Sequence, residues 1–225
     1  KQILEMTGAE MLWVPGIRMC DGIAADYAEK QKYLKFTHNF DDDILSASRN
    51  MAKRYRCNTS HGQKIENYAL QIFDAMKKFH GLGTRERLLL QIASILHDCG
   101  KFISLRDSSA CAYNIIMATE IIGLSHAERE IVAEVVRCNL DAFRYGEGSI
   151  RAGKLTAMLR LANAMDRSHH GRLDDGKLQV KGNKLIISTS YAGNLALETM
   201  AVEDKADFFE EMFGIRPEIR QKRRV

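Results

Sequence analysis

The chain has 225 residues, of which 45% are apolar and 28% charged, with a formal net charge of +4. That length can bury a sizeable core without metal or disulfide staples, and the balance excludes disordered and fibrous classes. No run of about 18 apolar residues occurs, so no membrane span is expected; the mild positive charge suits anionic ligands, and no DNA partner is expected.

Lys1 leads directly into Ile3-Leu4-Glu5-Met6, which reads as the end of a helix. The chain is therefore expected to be a fragment of a longer protein. Glu10-Met11-Leu12-Trp13-Val14 reads as a short strand, Pro15-Gly16 as a turn, and Ile17 to Lys30 as a helix. A lone strand is not stable, so its partners are expected in a missing N-terminal part.

Pro15 and Pro217 are the only prolines, so little between them interrupts a helix. The stretch 40–170 is read as helical. Ile44, Leu45, Ala47, Met51, Ala52 and Tyr55 form one apolar stripe. Ile65, Tyr68, Ala69, Ile72, Phe73, Met76 and Phe79 form the cleanest amphipathic helix, at i, i+3, i+4 spacing. Thr84 is expected to cap a helix whose Leu88, Leu89, Leu90, Ile92, Ala93, Ile95 and Leu96 are apolar nearly all round, which makes it central. Ser125 and Glu128 form a capping box, and a last helix carries Leu155, Met158, Leu159, Leu161, Ala162 and Met165.

From Leu173 the texture becomes α+β. Leu178-Gln179-Val180 and Leu185-Ile186-Ile187-Ser188 read as strands around a Gly182-Asn183 turn, Leu195-Ala196-Leu197 as a further strand, and Lys205 to Met212 as a helix ended by Gly214. The terminal cluster Arg216, Arg220, Lys222, Arg223 and Arg224 is read as a solvated tail. The five cysteines are odd in number and lack C-x-x-C spacing, which fits reduced thiols and a cytoplasmic location.

Polar chemistry concentrates at His61 and at His97-Asp98-Cys99-Gly100-Lys101. His97 and Asp98 end the central helix, where unpaired burial costs several kcal/mol, so they must find partners. Two readings stand. The pair is satisfied by hydrogen bonds, or it binds a divalent ion, for which imidazole and carboxylate suit Mn²⁺, Fe²⁺, Zn²⁺ or Mg²⁺. Gly100 allows a left-handed helix exit, and Lys101 offers a cation to a phosphate.

The pattern H…HD-x-G-K resembles the HD superfamily of metal-dependent phosphohydrolases. That resemblance implies a metal held by His61, His97, Asp98 and a later Asp, commonly within Leu-Ala-Asp. Here the stretch reads Leu161-Ala162-Asn163-Ala164-Met165-Asp166, so Asn163 stands at the expected position. Asp166, at i+3, either substitutes as a ligand or only caps or pairs with Arg167.

More of the chain follows a family pattern. His80-Gly-Leu-Gly, Lys101-Phe-Ile-Ser-Leu-Arg-Asp, Tyr113-Asn-Ile-Ile, Gly123-Leu-Ser-His-Ala-Glu-Arg-Glu-Ile-Val and Leu159-Arg-Leu-Ala look like the C-terminal half of the exopolyphosphatase / guanosine pentaphosphatase family. Gly8-Ala-Glu-Met-Leu-Trp-Val-Pro-Gly with Arg18 and Asp21-Gly22 is similar to the end of its actin-like domain, and Phe208-Phe-Glu-Glu-Met-Phe-Gly to its small final domain. Where relatives carry histidines, this chain has Ser108, Cys111 and Cys138-Asn139, so a second metal is not expected. His169-His170 is read as a solvated loop.

The resemblance implies a mainly α fold in three parts: residues 1–38 as a strand–helix remnant of an actin-like phosphatase domain, 39–172 as a helical HD-type domain, and 173–225 as a small α+β unit. It implies a parent enzyme that hydrolyses phosphoanhydride bonds of polyphosphate or of a (p)ppGpp-like anion, with its main active site in the missing actin-like domain. This part then binds polyanion through Lys101, Arg106, Arg160, Arg167 and Arg172, or supports a homodimer. The alternatives are a self-sufficient metal-dependent hydrolase of a phosphomonoester or nucleotide, and a non-catalytic scaffold.

Overall fold

The computed structural model describes residues 2–11, 14–35, 38–141, 143 and 150–221. The chain divides into two units, Lys1–Asn39 and Phe40–Val225.

The first unit holds helices α1 (Gln2–Thr7) and α2 (Met19–Lys30), neither of which buries a residue. Asp21 closes the start of α2 by accepting from the Arg18 N–H at 2.9 Å, so the helix begins two residues later than expected. Of the expected strand, Glu10, Met11 and Val14 are not extended into a ladder, and Leu12 and Trp13 lie outside the described residues.

The second unit is built from α3 (Phe40–Arg54), α4 (Thr59–Ala75), α5 (Lys77–His80), α6 (Thr84–Leu96), α7 (Ser108–Ala118), α8 (His126–Cys138) and α9 (Ile150–Met165). Helix α6 is the centre. Its apolar residues face in all directions, and it packs against α3, α4, α8 and α9. Each such Leu or Ile contributes about 1.5–3 kcal/mol on burial. Its N-cap is Gly83, not Thr84: the Glu86 carboxylate accepts the Gly83 N–H at 2.8 Å, so the acidic residue serves where a hydroxyl was expected. The Ser125–Glu128 box at the start of α8 is present. Helix α4 stops at Ala75, which leaves Phe79 half exposed on the separate turn α5.

Strands β1 (Lys177–Lys181) and β2 (Lys184–Thr189) pair antiparallel across Gly182-Asn183. Helix α10 (Ala196–Phe213) then crosses back to β3 (Arg216–Gln221), parallel to β2 and at the sheet edge. The stretch expected as a strand at Leu195–Leu197 instead opens α10: Leu195 is its N-cap and is buried, Ala196 and Leu197 begin the helix on its exposed side, and the helix as a whole packs on α9. Arg216 and Arg220, expected in a tail, lie in β3 and pair with Asp207, Glu210 and Glu218. Pro217 fits there because an edge strand tolerates a missing N–H; Lys222, Arg223 and Arg224 lie outside the described residues. Leu185, Ile187, Val202, Phe209 and Ile215 belong to the same apolar cluster as the helices, and the cluster passes through Leu173. No helix of the described residues is long and apolar enough to cross a membrane.

His80 ties α5 to this core. Its Nε2–H donates to the Phe73 carbonyl at 3.1 Å, and its Nδ1 accepts the Leu82 N–H at 2.8 Å. Burial lowers its pKa below the ordinary 6.5. The unfolded imidazole gains a proton near pH 6.5 while the folded one resists it. The stabilisation is therefore complete above about 6.5 and is lost as pH falls towards the lower folded value. Denaturant unfolding is expected to show a lower midpoint at pH 5.5 than at 7.5, and His80→Gln to shrink that difference.

Candidate functional site

The site forms where α4 begins and α6 ends. His61 sits in the first turn of α4, which Asn58 caps by accepting the His61 N–H at 3.2 Å. His97 closes α6, and Asp98 follows it into a 3₁₀ turn, Cys99–Phe102. Among the described residues, His61, His97 and Asp98 form a group whose ligand-type atoms all lie within 4.8 Å of one another.

Hydrogen bonds set the tautomers. The Nδ1–H of His97 donates to the Ser94 carbonyl at 2.7 Å, and the Nδ1–H of His61 donates to Asp166 Oδ2 at 2.7 Å. Both rings therefore keep a lone pair at Nε2. Burial lowers the pKa of His97 below the ordinary 6.5. Its Nε2 is buried without a hydrogen bond and lies 3.4 Å from Asp98 Oδ1. Two acceptors at that separation call for a cation. Lys101 Nζ, 2.6 Å from Asp98 Oδ1, supplies one from the solvent side. Burial pushes the Asp98 carboxyl up, but His97 and Lys101 outweigh it and hold it below the usual range.

Asp166, anticipated as a ligand, is placed differently. It lies just beyond α9, fully buried, with Oδ2 on His61 and Oδ1 accepting the Gly171 N–H at 2.8 Å. With both oxygens engaged, it orients His61 and stands outside the ligand group. Asn163, at the position where the family pattern has an aspartate, is half-buried on α9. The residue that sequence reasoning underweighted is His169. Its ring stacks on His61 with centroids 3.8 Å apart and planes 25° apart. Only the adjacent acidic residue and glycine, Asp166 and Gly171, hinted at the turn that places it.

Of the cations assigned to polyanion, Lys101 alone is at the site. Arg106 and Arg167 are exposed. Arg160 donates to the Cys138 and Asp141 carbonyls and covers the Phe208 ring. Arg172 donates to the Asn194 carbonyl and faces Glu198 at 3.6 Å. Arg56 was not anticipated. With Tyr55, Asp98, Lys101 and Phe102 it lines a cavity of about 220 Å³ beside the site.

Ser108 is buried, with its carbonyl against Gly100. Burial pushes the thiols of Cys99 and Cys138 up to about 12, so neither is a ready thiolate. Asn139 is buried next to Cys138. None of these residues, nor Cys111, joins the ligand group.

Comparison with known proteins places this geometry in context. Residues 45–204 match the family described as Ppx/GppA phosphatase, domain III. The chain is also similar to a Guanosine-5'-triphosphate,3'-diphosphate pyrophosphatase of Photobacterium profundum, with 22% identity over 207 residues. That alignment takes in 89% of this chain and 40% of the relative, so the chain spans well under half of the relative's length.

Proposed function

The chain belongs to the Ppx/GppA phosphatase family, and on that premise we propose that it is the C-terminal helical part of an enzyme hydrolysing phosphoanhydride bonds of polyphosphate or guanosine pentaphosphate. The match over residues 45–204 carries this reading, and the activity named for the relative agrees with it. Within such an enzyme this part holds the polyanion. Lys101 and Arg56 at the cavity, with exposed Arg106 and Arg167, support a distributed electrostatic hold. Each contact is modest and screened by salt over about 8–10 Å. Arg160 and Arg172 leave that set, because their guanidinium groups serve backbone carbonyls. Changing Lys101 and Arg106 together to Ala is expected to weaken polyphosphate binding several-fold at low salt and hardly at all at high salt. Unchanged affinity at low salt would remove the binding role.

One observation favours a second reading of the same site: the His97 Nε2 lone pair, buried without a hydrogen bond. In that reading the site is an HD-type metal centre in which His61, His97 and Asp98 hold a single divalent ion. When bound, such an ion lowers the pKa of a water for attack on phosphorus. The chain's own groups prepare the site. Asp166 and the Ser94 carbonyl keep both Nε2 lone pairs free, and Lys101 sets an ammonium where a phosphate oxygen arrives.

A further inference from the structure

We propose that His169 is a fourth protein ligand of the metal centre, taking the place that the family pattern gives to an aspartate. This rests on the metal reading of the His61–His97–Asp98 site.

The carboxylate expected to complete the group, Asp166, is fully buried, spends an oxygen on each of His61 and Gly171, and stands outside the group. Asn163, at the family's aspartate position, offers only a neutral amide oxygen, a weaker ligand than a carboxylate. Cys57 lines the cavity with Asp98, but burial pushes its thiol up to about 11, which leaves His169, stacked on His61 with ring centroids 3.8 Å apart, as the neutral nitrogen donor against the group. His169 is exposed, so its side chain is free to turn toward an ion held by the group without repacking the core.

The backbone supports the assignment. His169 has φ +59, a left-handed conformation that costs a residue with a Cβ about 1–2 kcal/mol. The turn is closed twice by one residue: the His169 N–H donates to the Asp166 carbonyl at 2.9 Å, and Asp166 Oδ1 accepts the Gly171 N–H. Gly171 is itself at φ +64, a left-handed conformation that favours glycine. Asp166 thus orients His61 and also folds the turn that lays His169 over it. Strain retained at a polar residue touching the site points to use there.

The resulting set is three imidazoles and one carboxylate, which favours Zn²⁺ and its neighbours in the first row over Mg²⁺. Four protein ligands close a zinc site. His169, the exposed one, is the ligand that a water or phosphate oxygen would displace.

Cobalt(II) titration followed by visible absorption and by competition tests this. His169→Gly keeps the left-handed backbone without strain, so it removes the imidazole alone. It is expected to weaken Co²⁺ binding by about tenfold or more, since losing even an outer-shell partner costs about 10–100-fold, and to change the d–d bands. His169→Asn, which tolerates the same φ and keeps an oxygen, should fall between. His170→Ala should match the wild type, because the His170 Nδ1 is turned to the Ser168 carbonyl. If His169→Gly binds as tightly with the same spectrum, His169 is not a ligand and the centre has three. If the wild type binds neither Co²⁺ nor Zn²⁺, the metal reading falls and His169's role falls with it.

Discussion

Gly100→Ala is expected to destabilise the protein by on the order of 3 kcal/mol or more, at the upper end of overpacking effects. A Cβ at Gly100 would stand 1.8 Å from the Ser108 carbonyl oxygen and 2.6 Å from the Ala112 backbone nitrogen. Both are main-chain atoms of α7, so no rotamer change relieves the clash; the 3₁₀ turn and α7 must separate. For a domain of this size that corresponds to a melting temperature lower by about 6 °C or more. The turn directly follows Asp98 and carries Lys101, so the separation also displaces Asp98. Thermal unfolding by circular dichroism checks this, and a variant melting with the wild type would show that the turn does not pack as described.

Asp166→Asn separates stability from site chemistry. The Gly171 N–H needs an acceptor, so the new amide must turn its oxygen there. Its NH₂ then faces His61 Nδ1 and donates to it. His61 is forced to move its proton to Nε2, the atom that would bind an ion. The volume is nearly unchanged and both hydrogen bonds survive, the one to His61 with donor and acceptor exchanged, so the stability loss is expected to stay at about 1–3 kcal/mol, that of a charge-assisted bond. Metal affinity is expected to fall about 10–100-fold, as for other partners that orient a ligating His. Asp166→Ala should cost more stability than Asp166→Asn, because it leaves the buried His61 Nδ1–H and the Gly171 N–H without acceptors. Equal metal affinity in Asp166→Asn and wild type would show that Asp166 does not set the His61 tautomer.

Much of this was legible in the sequence, for identifiable reasons. The all-round apolar run Leu88–Leu96 could only be central, and the polar pair at its end could only be a site or a buried hydrogen-bonded knot. His61 was legible through its place at the start of the cleanest stripe. Other features were hidden because their causes are not local. Leu195-Ala196-Leu197 has a strand's composition, but it opens the long helix α10, whose later turns pack on α9. In β3 the charged alternation reads as a tail until Asp207, Glu210 and Glu218 are seen beside it. Arg160 finds its carbonyl 22 residues away, so its commitment could not be read from spacing. His169 looked solvated because its exposure is real; only the turn built by Asp166 and Gly171 lays it against His61.

Metal uptake tests the central claim most directly. After dialysis of the purified chain against micromolar Zn²⁺ and Mn²⁺, elemental analysis is expected to find one ion retained per wild-type chain and almost none in His97→Ala. Retention by neither, or equal retention by both, would contradict a metal centre built on His61, His97 and Asp98.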